Sequence, residues 1–138
     1  GPLNGPACCN VGNPHATFFV VDADAIDLAD LGPKIERHPR FPERVNVGVC
    51  AVEAPDRLRV RVWERGAGLT RACGSGACAA LVAAVRRGYA ERCATVRLDG
   101  GPLVVTWRAD DGHVSMRGPT TRVFDGTLDL DALARGSA

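Results

Sequence analysis

Residues 63–85 read WERGAGLTRACGSGACAALVAAV, and the change of character inside this stretch decides the fold. The first part, Trp63–Gly76, carries glycines at 66, 68, 74 and 76 and shows no hydrophobic periodicity. The second part, Ala77–Val85, is an unbroken apolar run rich in alanine, and it is the best helix former in the chain. Arg86 and Arg87 then place cations on the last turn, and Gly88 supplies a C-cap. On either side lie strands. Upstream, Ala16–Val21 is a continuous apolar run that reads as a strand buried on both faces. Val45, Val47 and Val49 alternate. Leu58, Val60 and Val62 alternate against Arg57, Arg59 and Arg61, as a half-buried strand with a basic outer face does. Between them Ile26, Leu28, Leu31 and Ile35 form a helical stripe that Gly32-Pro33 should kink or split. Downstream, 95–98, 103–107 and 114–116 read as short strands joined by Gly-rich turns. Arg122–Phe124 is a further strand candidate, and Leu128–Leu133 a weak terminal turn. The expected fold is α+β: a single domain with a mixed, largely antiparallel sheet wrapped around a central helix.

Composition bounds the function. The chain has 138 residues, 46% hydrophobic and 24% charged, which suits one domain and is too little for two. A net charge of +1 lacks the basic excess of a nucleic-acid binder. No apolar run approaches the roughly 20 residues that cross a bilayer. The six cysteines (Cys8, Cys9, Cys50, Cys73, Cys78, Cys93) show no Cys-x-x-Cys spacing, and the three histidines are scattered, so no metal site is expected. Free thiols in a reducing cytoplasm are the default reading. The chain opens at Gly1-Pro2 without an initiator Met, so we expect it to be a piece of something longer.

Chemistry concentrates at Cys73-Gly74-Ser75-Gly76. A thiol just before a long helix feels the positive end of its dipole, which should lower its pKa. The backbone N–H groups beside it suit a carboxylate. Yet Gly-rich turns start many helices, and a Cys is often only a small buried residue; the local pattern leaves both readings open. Cys78 reads as core filler, and Cys8-Cys9 as packing in a strand-like segment. Glu64-Arg65 follows a strand end, where Arg can grip a carboxylate and Glu an ammonium; alone, two solvated charges is the plainer reading. Asn13 and His15 stand in a turn before a strand, where a lone His is more often structural. Asn46, an amide between two valines, needs partners from backbone or ligand. Together these sites carry chemistry complementary to a zwitterion.

At these places the chain resembles diaminopimelate epimerase, through NVGNPHATFFV (10–20), LGPKIERHPRFPERVNV (31–47), RVRVWERGAG (59–68), ACGSGACAA (72–80) and the Gly118-Pro119 turn. The resemblance covers the family's C-terminal half, spanning 1–120 as the epimerase-type domain, with 121–138 as a tail belonging with the missing half. It implies a fold of two similar domains, each wrapping a sheet around a central helix, with the active site between them. The implied reaction interconverts LL- and meso-diaminopimelate, for lysine and peptidoglycan synthesis, without a cofactor. One cysteine from each half works on opposite faces of the α-carbon. By motif position, Cys73 is this half's base. Gly74 and Ser75 bind the substrate's α-carboxylate, Glu64, Arg65, Asn13 and Asn46 hold its charged groups, and His15 lies close by. The resemblance further implies a homodimer at full length and a cytoplasmic enzyme.

Two departures stand out. The N-terminal half is absent, and no other cysteine sits in a Gly-rich helix start, so the isolated chain should lack two-base epimerisation. Leu69 stands where the family usually carries a Glu. Two other readings remain: a non-catalytic amino-acid-binding or docking half-domain, and one chain of a split racemase or epimerase. The coding region upstream of Gly1 discriminates them, since an in-frame extension with a second Gly-flanked Cys marks a fragment. A half without its partner exposes an apolar face. We therefore expect the 138-residue chain to self-associate, and light scattering that reports a strict monomer at every concentration contradicts this.

Overall fold

The computed structural model describes residues 3–136; the turn signals at Gly1 and Pro2, and the tail's end at Ser137 and Ala138, lie outside the described residues. Strands β1 (Ala7–Asn10) and β2 (Pro14–Phe19) lead into helix α1 (Leu28–Glu36). Strands β3 (Asn46–Ala54), β4 (Arg57–Glu64) and β5 (Gly68–Thr70) precede helix α2 (Gly74–Arg86). Strands β6 (Cys93–Leu98), β7 (Gly101–Trp107) and β8 (Val114–Arg117) follow, and a short helix α3 (Leu130–Arg135) ends the chain. All strands join one sheet in the order β1-β2-β3-β4-β6-β7-β8, with β5 paired to β4. The β2/β3 and β4/β6 pairs are parallel and the others antiparallel. The fold is the expected α+β arrangement, mixed and largely antiparallel.

The sheet curls around α2, which packs against β1, β2, β3, β4, β6, β7 and β8. A helix enclosed on so many sides must be thin. Ala77, Ala79, Ala80, Ala83 and Ala84 are all buried, with Leu81 the one large aliphatic among the fully buried positions of the helix. Of these, Ala77, Ala80, Leu81 and Ala84 meet Cys50, Leu58, Val60, Val62, Ala94, Val96, Leu98 and Val105 from the strands. The tightest approach is at Gly76, where a Cβ would lie 2.8 Å from Val62 Cγ2. At the other end the helix closes in a Schellman turn: the Tyr89 amide donates to Ala84 O and the Gly88 amide to Val85 O, with Gly88 at φ +73°. Helix α1 covers the opposite sheet face, where Leu28 joins Ala16, Phe18, Val45, Val47, Val49 and Ala51 in a second core.

Several sequence expectations change. Helix α1 runs unbroken through Pro33, with the bond to the Ala29 carbonyl given up. Its buried residues are Leu28, Gly32 and Glu36, so a charged residue occupies the face turned to the sheet. Strand β2 ends at Phe19, and Val21 is fully exposed. The outer face of β4 is not a solvated basic stripe. Arg59 is 7% exposed, its guanidinium bonded to Asp24 and Asp99, and Arg61 donates to Ala23 O and Ile26 O. The 22–27 turn thus covers this face, and the bond to Asp24, with Asp99 in support and burial opposing, raises the Arg59 pKa. The Gly-rich stretch yields strand β5, which no periodicity announced. Cys8 is exposed rather than packed, and all six cysteines are free thiols. Residues 118–129 form no strand, Arg122–Phe124 included, and the terminal turn is helix α3, exposed throughout. No helix among the described residues is long and apolar enough to cross a membrane.

Gly32 gives a test with an inverted sign. Exposed glycines inside helices are destabilising by about 1 kcal/mol relative to alanine. Here an added Cβ would meet Trp63 Cγ at 2.4 Å, in the heart of the α1–β4 contact. Gly32→Ala should therefore destabilise the chain, by about 1–3 kcal/mol, read as a lower urea midpoint; a higher midpoint refutes the packing described.

Candidate active site

Register brings the site together. In the β2/β3 pair His15 stands opposite Asn46, and in the β3/β4 pair Val47 stands opposite Trp63, so the start of β2, the start of β3 and the end of β4 share one edge. The N-terminus of α2 opens at that edge. β5 folds back there, pairing Leu69 with Trp63 and Gly68 with Glu64.

Cys73 is the N-cap of α2, with extended backbone angles of φ −141° and ψ 102°. Its Sγ accepts from the Gly76 amide at 3.3 Å and lies 3.7 Å from Ser75 Oγ. A sulfur does here what a Ser or Asp oxygen does at most helix starts. The Ser75 hydroxyl receives the Asn13 amide, Nδ2 to Oγ at 3.2 Å, and also lies 3.2 Å from His15 Nε2. Asn13 Oδ1 is 3.0 Å from His15 Nε2. One proton arrangement satisfies the set. His15 Nε2–H donates to Asn13 Oδ1, Asn13 Nδ2–H donates to Ser75 Oγ, and the Ser75 O–H is left to donate to the sulfur.

Close by stands Glu64, whose Oε1 accepts from Thr70 Oγ1 at 2.5 Å. Its carboxylate is near enough to act on the thiol. The next residue, Arg65, is held from two directions: its amide donates to Asn46 Oδ1 at 2.8 Å, and its guanidinium donates to Glu43 O at 3.0 Å. Asn46, 3% exposed, also donates through Nδ2 to Pro14 O at 2.9 Å. Its partners in this structure are backbone groups, and they tie the Asn13 turn to the Arg65 turn.

Titration departs from expectation at Cys73. Burial pushes its thiol above the ordinary value, and the nearby Glu64 carboxylate adds to the rise; the bonds from Ser75 and Gly76 pull the other way without prevailing. The helix-start argument counted the dipole and left out desolvation. His15 moves down, to about 4, chiefly because its buried ring cannot hold a charge; Glu64 opposes the shift and Arg65 reinforces it. His15 is therefore neutral at pH 7.

Asn13, His15, Cys73, Ser75 and Glu64 thus share one end of the molecule, with the buried Asn46 and the exposed Arg65 beside them. A family model described as diaminopimelate epimerase matches residues 7–123. The chain belongs to the diaminopimelate epimerase family. The diaminopimelate epimerase of Acidiphilium cryptum is 60% identical over 134 residues, covering 97% of this chain and 48% of its own length. That of Rhodospirillum centenum is 57% identical, covering 99% of this chain and 46% of its own length. The chain spans about half the length of the curated relatives it matches. Among solved structures, a phenazine biosynthesis protein of the PhzF family from Bacillus anthracis aligns with a TM-score of 0.53 at 23% identity, over 83% of this chain and 36% of its own. One from Enterococcus faecalis aligns at 0.55 and 16%, over 72% and 35%. At such identities these two share the fold alone.

Two site-supporting residues went unread in the sequence. Thr70, which holds Glu64, lies in a segment without periodicity. Glu36 lies outside the stripe Ile26, Leu28, Leu31 and Ile35, and only the structure shows it buried. Leu69 is 41% exposed on β5 and pairs with Trp63, so its side chain has room at the surface.

His15 makes stability depend on pH with a defined sign. The folded chain keeps the ring neutral while the unfolded chain protonates it near 6.5, so His15 supports the fold fully above pH 6.5. That support is lost as pH falls toward 4, by about 3 kcal/mol in all. Urea titrations at pH 7 and pH 4.5 should show a smaller pH loss in His15→Gln than in the native chain. Parallel losses contradict the buried neutral ring.

Proposed function

We propose that this chain is the Cys73-bearing half of a diaminopimelate epimerase, acting from one side of the substrate's α-carbon and completed by a second half that supplies the opposing cysteine. One observation carries the reading: Cys73 caps a buried helix, its sulfur 3.7 Å from the Ser75 hydroxyl and within the influence of the Glu64 carboxylate. A docking module has no use for that arrangement.

In the reaction so read, substrate binds with its α-carboxylate at the start of α2, where the Gly74 and Ser75 N–H groups are not used by the helix ladder. The zwitterion's charged groups meet Glu64 and Arg65 and the Asn13 amide. Asn46 serves by fixing the Arg65 backbone. Glu64 takes the thiol proton of Cys73; burial and the carboxylate's own charge hold that thiol above its ordinary value, and the Ser75 and Gly76 donors counter them only in part. The thiolate removes the α-proton, forming an S–H bond as the C–H bond breaks. The opposing thiol delivers its own proton to the other face of the carbanion, and its sulfur is left as thiolate. In the reverse direction the roles exchange. No cofactor enters. The α-proton is a very weak acid, and the carboxylate held at a helix N-terminus, with water excluded on closure, stabilises the developing charge. His15, neutral and bonded to Asn13, holds the network without adding a charge. In this reading residues 121–138 pack on the complementary half, and the whole enzyme is a cytoplasmic homodimer.

The test is α-proton exchange. Diaminopimelate in D₂O is incubated with the chain joined to its complementary half, and the α-proton is followed by NMR. Exchange is expected, and Cys73→Ser should slow it by about 10³-fold, the scale of a lost general base. The 138-residue chain alone should give no epimerisation. Exchange that survives Cys73→Ser undiminished rules out the proposed role of this cysteine.

A further inference from the structure

Glu36 is a buried carboxylate that the chemistry above does not use. It ends helix α1, is 3% exposed, and meets Trp63 at the border of the second core, where a charge is costly to bury unless it is hydrogen-bonded. Its two oxygens have separate duties. Oε2 accepts from the Trp63 indole Nε1–H at 2.7 Å, and Oε1 accepts from the Gly66 amide at 3.1 Å, while Arg44 stands 3.7 Å away. Both donors belong to the turn that carries Glu64 and Arg65, one on each side of that pair. Gly66 takes a left-handed φ of +78°, so its amide is turned out of the strand ladder and toward α1. The indole is itself wedged, with Gly32 against one part of the ring and Gly68 against another. Bonds from Trp63 and Gly66, together with burial that opposes them, leave the Glu36 carboxyl below its ordinary range, so it is ionised when the turn is held.

We propose that Glu36 is a positioning residue for the site: by accepting from Trp63 and Gly66 at once, its carboxylate holds the Glu64–Arg65 turn in the arrangement that receives the substrate's charged groups. This rests on the reading of Glu64 and Arg65 as substrate-holding groups. Asn46 and Glu43 grip Arg65 from the β3 side, and Glu36 grips the turn from the α1 side. A carboxylate is required because two donors converge on it. The isosteric amide of glutamine offers one acceptor oxygen, and its NH₂ would face the second donor.

Glu36→Gln therefore breaks one bond with no change of volume. Leu28→Val serves as a control, shortening a buried residue of the same helix that has no bond to the turn. In the 138-residue chain, hydrogen exchange at the Gly66 amide should accelerate about tenfold or more in Glu36→Gln and much less in Leu28→Val. In the chain joined to its complementary half, Glu36→Gln should raise KM for diaminopimelate about tenfold with kcat within about threefold, the pattern of lost ground-state positioning. Leu28→Val should leave KM in place. Unchanged Gly66 exchange overturns the proposal, as does a KM no higher than that of Leu28→Val. If the native enzyme fails to turn over diaminopimelate, the functional reading falls, and Gly66 exchange still decides whether Glu36 holds the turn.

Discussion

The enclosure of α2 governs what the rest of the molecule can be. A helix packed against seven strands leaves no room for side chains larger than its neighbours can yield to, and the chain meets this with buried alanines and a glycine pressed on Val62. The consequence reaches the site. Because the body of α2 is locked from all round, its first turn has a fixed place relative to the edge where β2, β3 and β4 meet. Cys73, Ser75 and their partners thus inherit their geometry from apolar packing that takes no part in chemistry.

The sequence made the helix and most strands legible for a plain reason: an alanine-rich run and alternating valines each carry their period locally. Sheet order was not legible, since nothing in the chain states that β6 lies beside β4 in parallel. Buried charges misled most. Arg59 looked like a solvated strand charge, because its partners Asp24 and Asp99 lie 35 and 40 positions away. Glu36 drew no reading at all, because its partner Trp63 is 27 positions distant. A charge that is neutralised at long range has no local signature.

At the site, Cys73, Gly74 and Ser75 were visible from the helix start itself. Asn13 and His15 lie 62 and 60 positions from Ser75 and entered only as polar residues in a turn. What joined them to the cysteine was strand register. The direction of the Cys73 shift was misread because the dipole is a local property and burial is not. The family resemblance located the motifs; it carried no information on which side chain bonds to which.

The first turn of α2 contains no acidic residue, although an Asp or Glu there would strengthen the helix. That omission leaves the most favourable place for a negative charge to something from outside the chain. A carboxylate ligand that seats there binds the folded state and not the unfolded one, adding about 2.7 kcal/mol to folding stability at a concentration one hundred times its dissociation constant. In the proposed reading, the stabilisation that an acidic residue there would give is left for the substrate's carboxylate to supply.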